Sequence, residues 1–165
     1  MLINIDHHTS NTRFGDINWI ASKEPSSGEL IYRLIKEAGW KITPSIADCL
    51  FTAISTDTGS FQYNSVSSRT HFIVSKLFEK NINHNEIYNK VYNDSSKSRL
   101  DVLGLALNSL THLKEFNTVY MFLKRDDLDN IGYQKGDTEG IVNYGLSLKG
   151  VVFCAIFIED VNSKN

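Results

Sequence analysis

A short apolar run, Leu2-Ile3-Asn4-Ile5, breaks off on Asp6-His7-His8, three side chains suited to holding protons or divalent cations. Such a run, bounded by polar residues, reads as a buried strand of a parallel sheet. In α/β folds ligands bind beyond the carboxyl ends of such strands, so the run places chemistry as well as architecture. A second segment, Ser55-Thr56-Asp57-Thr58-Gly59-Ser60-Phe61, offers the carboxylate that complements paired imidazoles.

Between and beyond these segments the pattern is helical. Ser26 and Glu29 stand at capping-box spacing ahead of an apolar face of Leu30, Ile31, Leu34, Ile35 and Ala38, and Gly39 ends the helix. Thr43 precedes Pro44 as a cap before a first-turn proline, and Ile46, Ala47, Leu50, Ala53 and Ile54 are expected to face inward. Asp57 then follows a helix end, and Thr58-Gly59-Ser60 allows a tight loop. Ser67-Ser68 caps a helix carrying Phe72, Ile73, Leu77 and Phe78. A short helix is expected over 84–93 and a longer one over 95–113, read as a connector. Residues 118–123 read as a strand, 137–146 as a helix capped by Asp137 or Thr138, and 151–158 as a largely buried strand. The polar end at 162–165 reads as frayed.

At 165 residues the chain can bury a large core, so size does not limit folding. A formal charge of -2 gives no field able to hold long nucleic acid by its phosphates, so an anionic substrate must be held locally. Cys49 and Cys154 have no metal-like spacing and are expected to be buried thiols, which suits a reducing cytoplasm. No apolar run approaches the roughly 20 residues of a membrane span. His71, His84 and His112 lack partner carboxylates at ligand spacing, and Tyr63, Tyr88, Tyr92 and Tyr133 read as packing residues. Lys97 and Arg99 read as a solvated helix start, and Ser147 lacks the glycine that a nucleophile elbow needs.

Asp6-His7-His8-Thr9-Ser10-Asn11 and Thr56-Asp57-Thr58-Gly59-Ser60-Phe61, separated by two helices, resemble the motifs of the DHH phosphoesterase family. Thr138-Glu139-Gly140-Ile141-Val142-Asn143-Tyr144, with Lys149-Gly150-Val151, is similar to part of the associated DHHA1 domain. The resemblance implies an α/β chain: the C-terminal half of a doubly wound parallel-sheet DHH domain over 1–94, a connector helix over 95–113 and part of a small DHHA1 domain over 114–165. It further implies that His7 and Asp57 ligate a Mn2+ ion, that His8 faces the scissile phosphate, and that Asp6 orients the histidines. The complete family site holds two such ions.

The family's other ligands, a His with an Asp-x-Asp pair and a further Asp ahead of Asp-His-His, have no counterpart here, and neither does its glycine-rich substrate loop. Asp127-Leu128-Asp129 has the letters of the pair without the context. The implied expectation is a chain truncated at both ends, with an open sheet edge at residues 2–5. The implied activity is Mn2+-dependent hydrolysis of short oligoribonucleotides and 3'-phosphoadenosine 5'-phosphate; no substrate-binding residue is assigned. Cyclic dinucleotide phosphodiesterases, single-strand exonucleases and pyrophosphatases share these motifs. A different class also stands open: an inactive remnant serving as a binding or dimerising module, or one half of an enzyme split over two chains, with a homodimer or a complementing N-terminal half as partner.

Overall fold

The computed structural model describes residues 1–160, and the end at 162–165 lies outside the described residues. The chain divides into two units, Met1–Asn93 and Asp94–Asn165.

In the first unit, β1 (Ile3–Asp6) pairs in parallel with β2 (Ile17–Ile20), Ile5 lying opposite Trp19 and Asp6 opposite Ile20. The burial expected of residues 2–5 is not found. Only Asn4 is buried, while Leu2, Ile3 and Ile17 are about half exposed. With two strands, only one face covered by a helix leaves the other in water. Helix α1 (Ser27–Glu37) packs against β1. Ser26 Oγ accepts from the Glu29 amide at 3.2 Å, but the capping box is half made, because the Glu29 carboxylate turns into the interior instead of returning to Ser26.

Helix α2 (Pro44–Asp57) starts at the Thr43 cap with Pro44 in its first turn and buries Ala47, Leu50, Phe51 and Ile54. Helix α3 (Ser68–Phe78) has a complete capping box from Ser67 and Thr70. Its buried stripe is Thr70, Ile73, Val74 and Leu77, the i, i+3, i+4, i+7 set, which leaves Phe72 outside and 58% exposed with Lys76 over its ring. These faces close with Tyr32, Ile35, Ile42 and Ile82 into one core. Each fully buried Leu or Ile contributes roughly 1.5–3 kcal/mol of transfer free energy. Helix α4 (His84–Tyr92) buries no residue fully. Cys49, expected inside, is exposed, because α2 turns its other side to the core.

In the second unit, α5 (Lys97–Asn108) stops short of the expected 113. Thr111–Leu113 instead forms β3, antiparallel to β4 (Thr118–Leu123), with Asn117 in the left-handed region helping the chain reverse. Val102 and Ala106 of α5 are buried with Met121, Leu123, Leu128 and Ile141, so the helix is part of this unit's core. Strand β5 (Phe153–Ile158) runs parallel to β4, giving the order β3-β4-β5. It is not largely buried as expected: Phe153, Phe157 and Ile158 are exposed. Helix α6 (Arg125–Asn130) has no counterpart in the sequence reading, and α7 (Ile141–Leu146) begins later than residue 137. The Asp137 carboxylate accepts from the Gln134 amide at 2.9 Å, closing a turn rather than capping a helix. No helix among the described residues is long and apolar enough to cross a membrane.

Candidate metal centre

Asp6 is the last residue of β1, and the chain turns there so that one carboxylate gathers the next two residues. Asp6 Oδ1 accepts from the His7 amide at 2.7 Å and the His8 amide at 3.2 Å, and lies 2.7 Å from His8 Nδ1. Asp6 Oδ2 accepts from Asn11 Nδ2 at 2.7 Å. The Asn11 amide first, and the His8 ring after it, hold the Asp6 carboxyl well below the usual carboxylate range. Beneath this pair, buried Asn4 donates to Asn11 Oδ1 at 2.8 Å and to Asn18 Oδ1 at 3.1 Å. A ladder of amides thus fixes the one Asn that fixes Asp6.

His7 is aimed from its other side. Its Nδ1 lies 3.2 Å from the Glu24 carbonyl oxygen, which can only accept, so Nδ1 carries the proton and Nε2 of a neutral ring carries the lone pair. Nε2 is buried and makes no hydrogen bond, yet it sits 3.4 Å from Asp57 Oδ2. Ion-pair distance is met there while hydrogen-bond geometry is not. Two electron-rich atoms face each other across a gap that a shared cation would relieve, so the donor set fits a divalent metal.

Asp57 closes α2 as its last residue rather than following it. The loop beyond folds back on the helix end: Thr58 Oγ1 donates to the Ile54 carbonyl at 2.6 Å and accepts from the Phe61 amide at 3.1 Å. Gly59, Ser60 and Phe61 all take positive φ, at 55°, 57° and 69°. At Gly59 a Cβ would stand 2.6 Å from the Tyr63 ring, so the loop needs glycine for space as well as for φ.

Among the described residues, the donor atoms of Asp6, His7 and His8 lie within 4.8 Å of one another. Asp57 stands outside that triplet and reaches His7. The His7 and His8 rings meet edge to face with centroids 4.3 Å apart. Asp129 is engaged elsewhere, pairing with Arg125 at 2.6 Å on α6. Sequence reasoning passed over Asn4, Asn11, Asn18 and Glu24. Asn11 lies within the motif that begins at Asp6, whereas the Glu24 contribution is a backbone carbonyl and carries no sequence signal.

No family model matches the chain. It is 26% identical over 165 residues to the bifunctional oligoribonuclease and PAP phosphatase NrnA of Bacillus subtilis, covering 96% of this chain and 51% of that protein. To the protein of the same name from Thermus thermophilus it is 32% identical over 76 residues, which is 46% of this chain and 24% of the relative. A crystal structure of an exopolyphosphatase-related protein from Bacteroides fragilis superposes with a TM-score of 0.91 at 39% identity, covering 96% of this chain and 47% of that one. The chain spans about half the length of the relatives that it matches from end to end.

Proposed function

From the premise that this chain belongs with the DHH/DHHA1 phosphoesterases, whose relatives span nearly all of it, we propose a metal-dependent hydrolysis of phosphoester bonds centred on His7 and Asp57. The carrying observation is the buried, unpartnered His7 Nε2 facing Asp57 Oδ2. Imidazole nitrogen with carboxylate oxygen suits a divalent transition metal, and the resemblance of the motifs to the DHH family makes Mn2+ the ion we assign to this pair. When bound, cations of this kind supply Lewis-acid polarisation of a phosphoryl oxygen and activation of water.

The chain's own residues divide the remaining work. Glu24 O holds His7 in the tautomer that leaves Nε2 free, and Asp6 keeps His8 turned toward the open side of the strand end. His8 is exposed, with its Nδ1 committed to Asp6, so its Nε2 is available to a phosphate oxygen. Asp6 stays ionised to unusually low pH and so keeps a steady hydrogen-bond acceptor on His8 Nδ1. Substrates of the named relatives, short oligoribonucleotides and 3'-phosphoadenosine 5'-phosphate, are the ones we assign to this chain.

Manganese content of the purified protein, compared with His7→Ala and Asp57→Ala, tests this reading. Bound manganese that vanishes in both variants, together with release of phosphate or mononucleotide, supports it. Equal manganese in all three proteins sinks it.

One observation favours a second reading, in which the chain works with a partner polypeptide, either a second copy or a complementing half. The two-stranded sheet that carries Asp6-His7-His8 exposes Leu2, Ile3 and Ile17. Two strands alone are marginal in water, and an uncovered apolar face beside open strand edges favours association. A change in mass under native conditions on adding the partner, with a gain in metal affinity, is the expected signature.

A further inference from the structure

Behind His7 stands a charge cluster that the proposed chemistry does not use. Glu24, whose carbonyl accepts from His7 Nδ1, has a largely buried carboxylate. One oxygen pairs with Arg33 Nη1 of α1 at 3.2 Å and the other with Arg69 Nη2 of α3. Arg69 Nε also lies 3.7 Å from Glu29 Oε2. Glu29 is completely buried, and Thr70 of α3 stands beside its carboxyl together with Arg69. Arg33 in turn lies over the Trp19 ring of β2, 5.4 Å from its centroid. The segment around Glu24 is pinned at its start as well, the Ala21 amide donating to the Asp6 carbonyl at 2.9 Å.

We propose that Arg69, acting through Glu24, is a positioning residue for His7: it immobilises the carbonyl that selects the His7 tautomer and so aims Nε2 at Asp57. This rests on the reading of His7 as a metal ligand. Backbone carbonyls in loops wander unless something holds the chain, and Glu24 is clamped by two guanidinium groups from two helices. A forked guanidinium engages two carboxylates at once and sets direction as well as charge, which an ammonium does not. Without Arg69, Glu24 keeps only Arg33 and buried Glu29 loses its ion-pair partner. The segment then relaxes, and the Glu24 carbonyl moves off the line to Nδ1.

The test compares wild type, Arg69→Gln, Arg69→Lys and Glu24→Gln, none of which alters an atom of His7 or Asp57. In metal-free 15N-labelled protein, the wild-type His7 ring should show a protonated Nδ1 and a bare Nε2. Arg69→Gln and Glu24→Gln should show mixed tautomers and bind Mn2+ about 10–100-fold more weakly, the cost usual for losing an outer partner of a metal-bound His. Arg69→Lys should fall between. If Arg69→Gln does not fold, Glu24→Gln reads the same quantities. Variants that melt earlier but keep the wild-type ring signals and Mn2+ affinity overturn the proposal, since the cluster is then merely structural. Wild type that binds no Mn2+ while the variants still lose the tautomer upholds the positioning role and overturns the metal reading beneath it.

Discussion

His7 Nε2 and Asp57 Oδ2 approach to 3.4 Å without a hydrogen bond, although the two residues belong to different elements and the His7 side chain is only 15% exposed. With Nδ1 turned to the Glu24 carbonyl, a neutral His7 presents a lone pair and not a proton to Asp57. A folded chain tolerates such a pair where a bound group or a proton compensates it.

Asp57→Asn therefore has opposite effects with and without metal. In EDTA a small rotation of the introduced amide lets it donate to His7 Nε2, so the variant should be more stable than wild type by up to about 1 kcal/mol, the net value of one hydrogen bond, and should melt later. In Mn2+ only wild type should gain stability. Thermal unfolding of both proteins in both buffers checks this; a variant that melts lower in EDTA would contradict the lone-pair arrangement.

Asn11→Ala removes the largest cause of the low Asp6 pKa. The depressed value means that the stability linked to Asp6 is fully present above its ordinary value near 3.8 and is lost as pH falls through the lower folded value. In the variant the Asp6 carboxyl should titrate closer to the ordinary range, and the acid transition should move to higher pH. Carbon-detected NMR titration of the carboxyl, followed alongside circular dichroism, measures both.

Glu29→Gln addresses the buried carboxylate. Burial first pushes the Glu29 carboxyl up, so its native state favours the proton, and stability falls as pH rises from the ordinary glutamate range through the folded value. The glutamine keeps the shape of the protonated acid and should flatten that slope. Melting temperatures from pH 4 to 8 should converge with wild type at the acid end and exceed it at the alkaline end. Parallel curves would show that Arg69 compensates the charge fully.

Leu77→Ala and Phe72→Ala separate the two sides of α3. Leu77 is completely buried, so its truncation should cost about 2–5 kcal/mol in urea unfolding. Phe72, on the outer side beneath Lys76, should cost less than about 1 kcal/mol. Similar losses at both positions would mean that the assignment of faces is wrong.

Local physics was readable in the residues themselves. Ser26, Thr43 and Ser67 cap helices because a hydroxyl satisfies an amide two or three residues away, and Pro44 suits a first turn for reasons internal to its ring. The strand at 118–123 announced itself by an unbroken apolar run. Asp6, His7, His8 and Asp57 stood out because few other residue types hold metal ions. Tertiary packing decided the rest. Strand β2 exists because β1 offers it a ladder, and β3 because the chain reverses at Asn117 onto β4. Phe72 and Cys49 lie outside because the core takes one stripe of each helix and periodicity does not say which neighbour of the stripe it spares. The aim of His7 depends on a carbonyl in one loop, two arginines on two helices and a carboxylate at the end of another. Side-chain identity encodes what a group can donate or accept, but direction arises only when distant segments are packed against one another and their backbones stop moving.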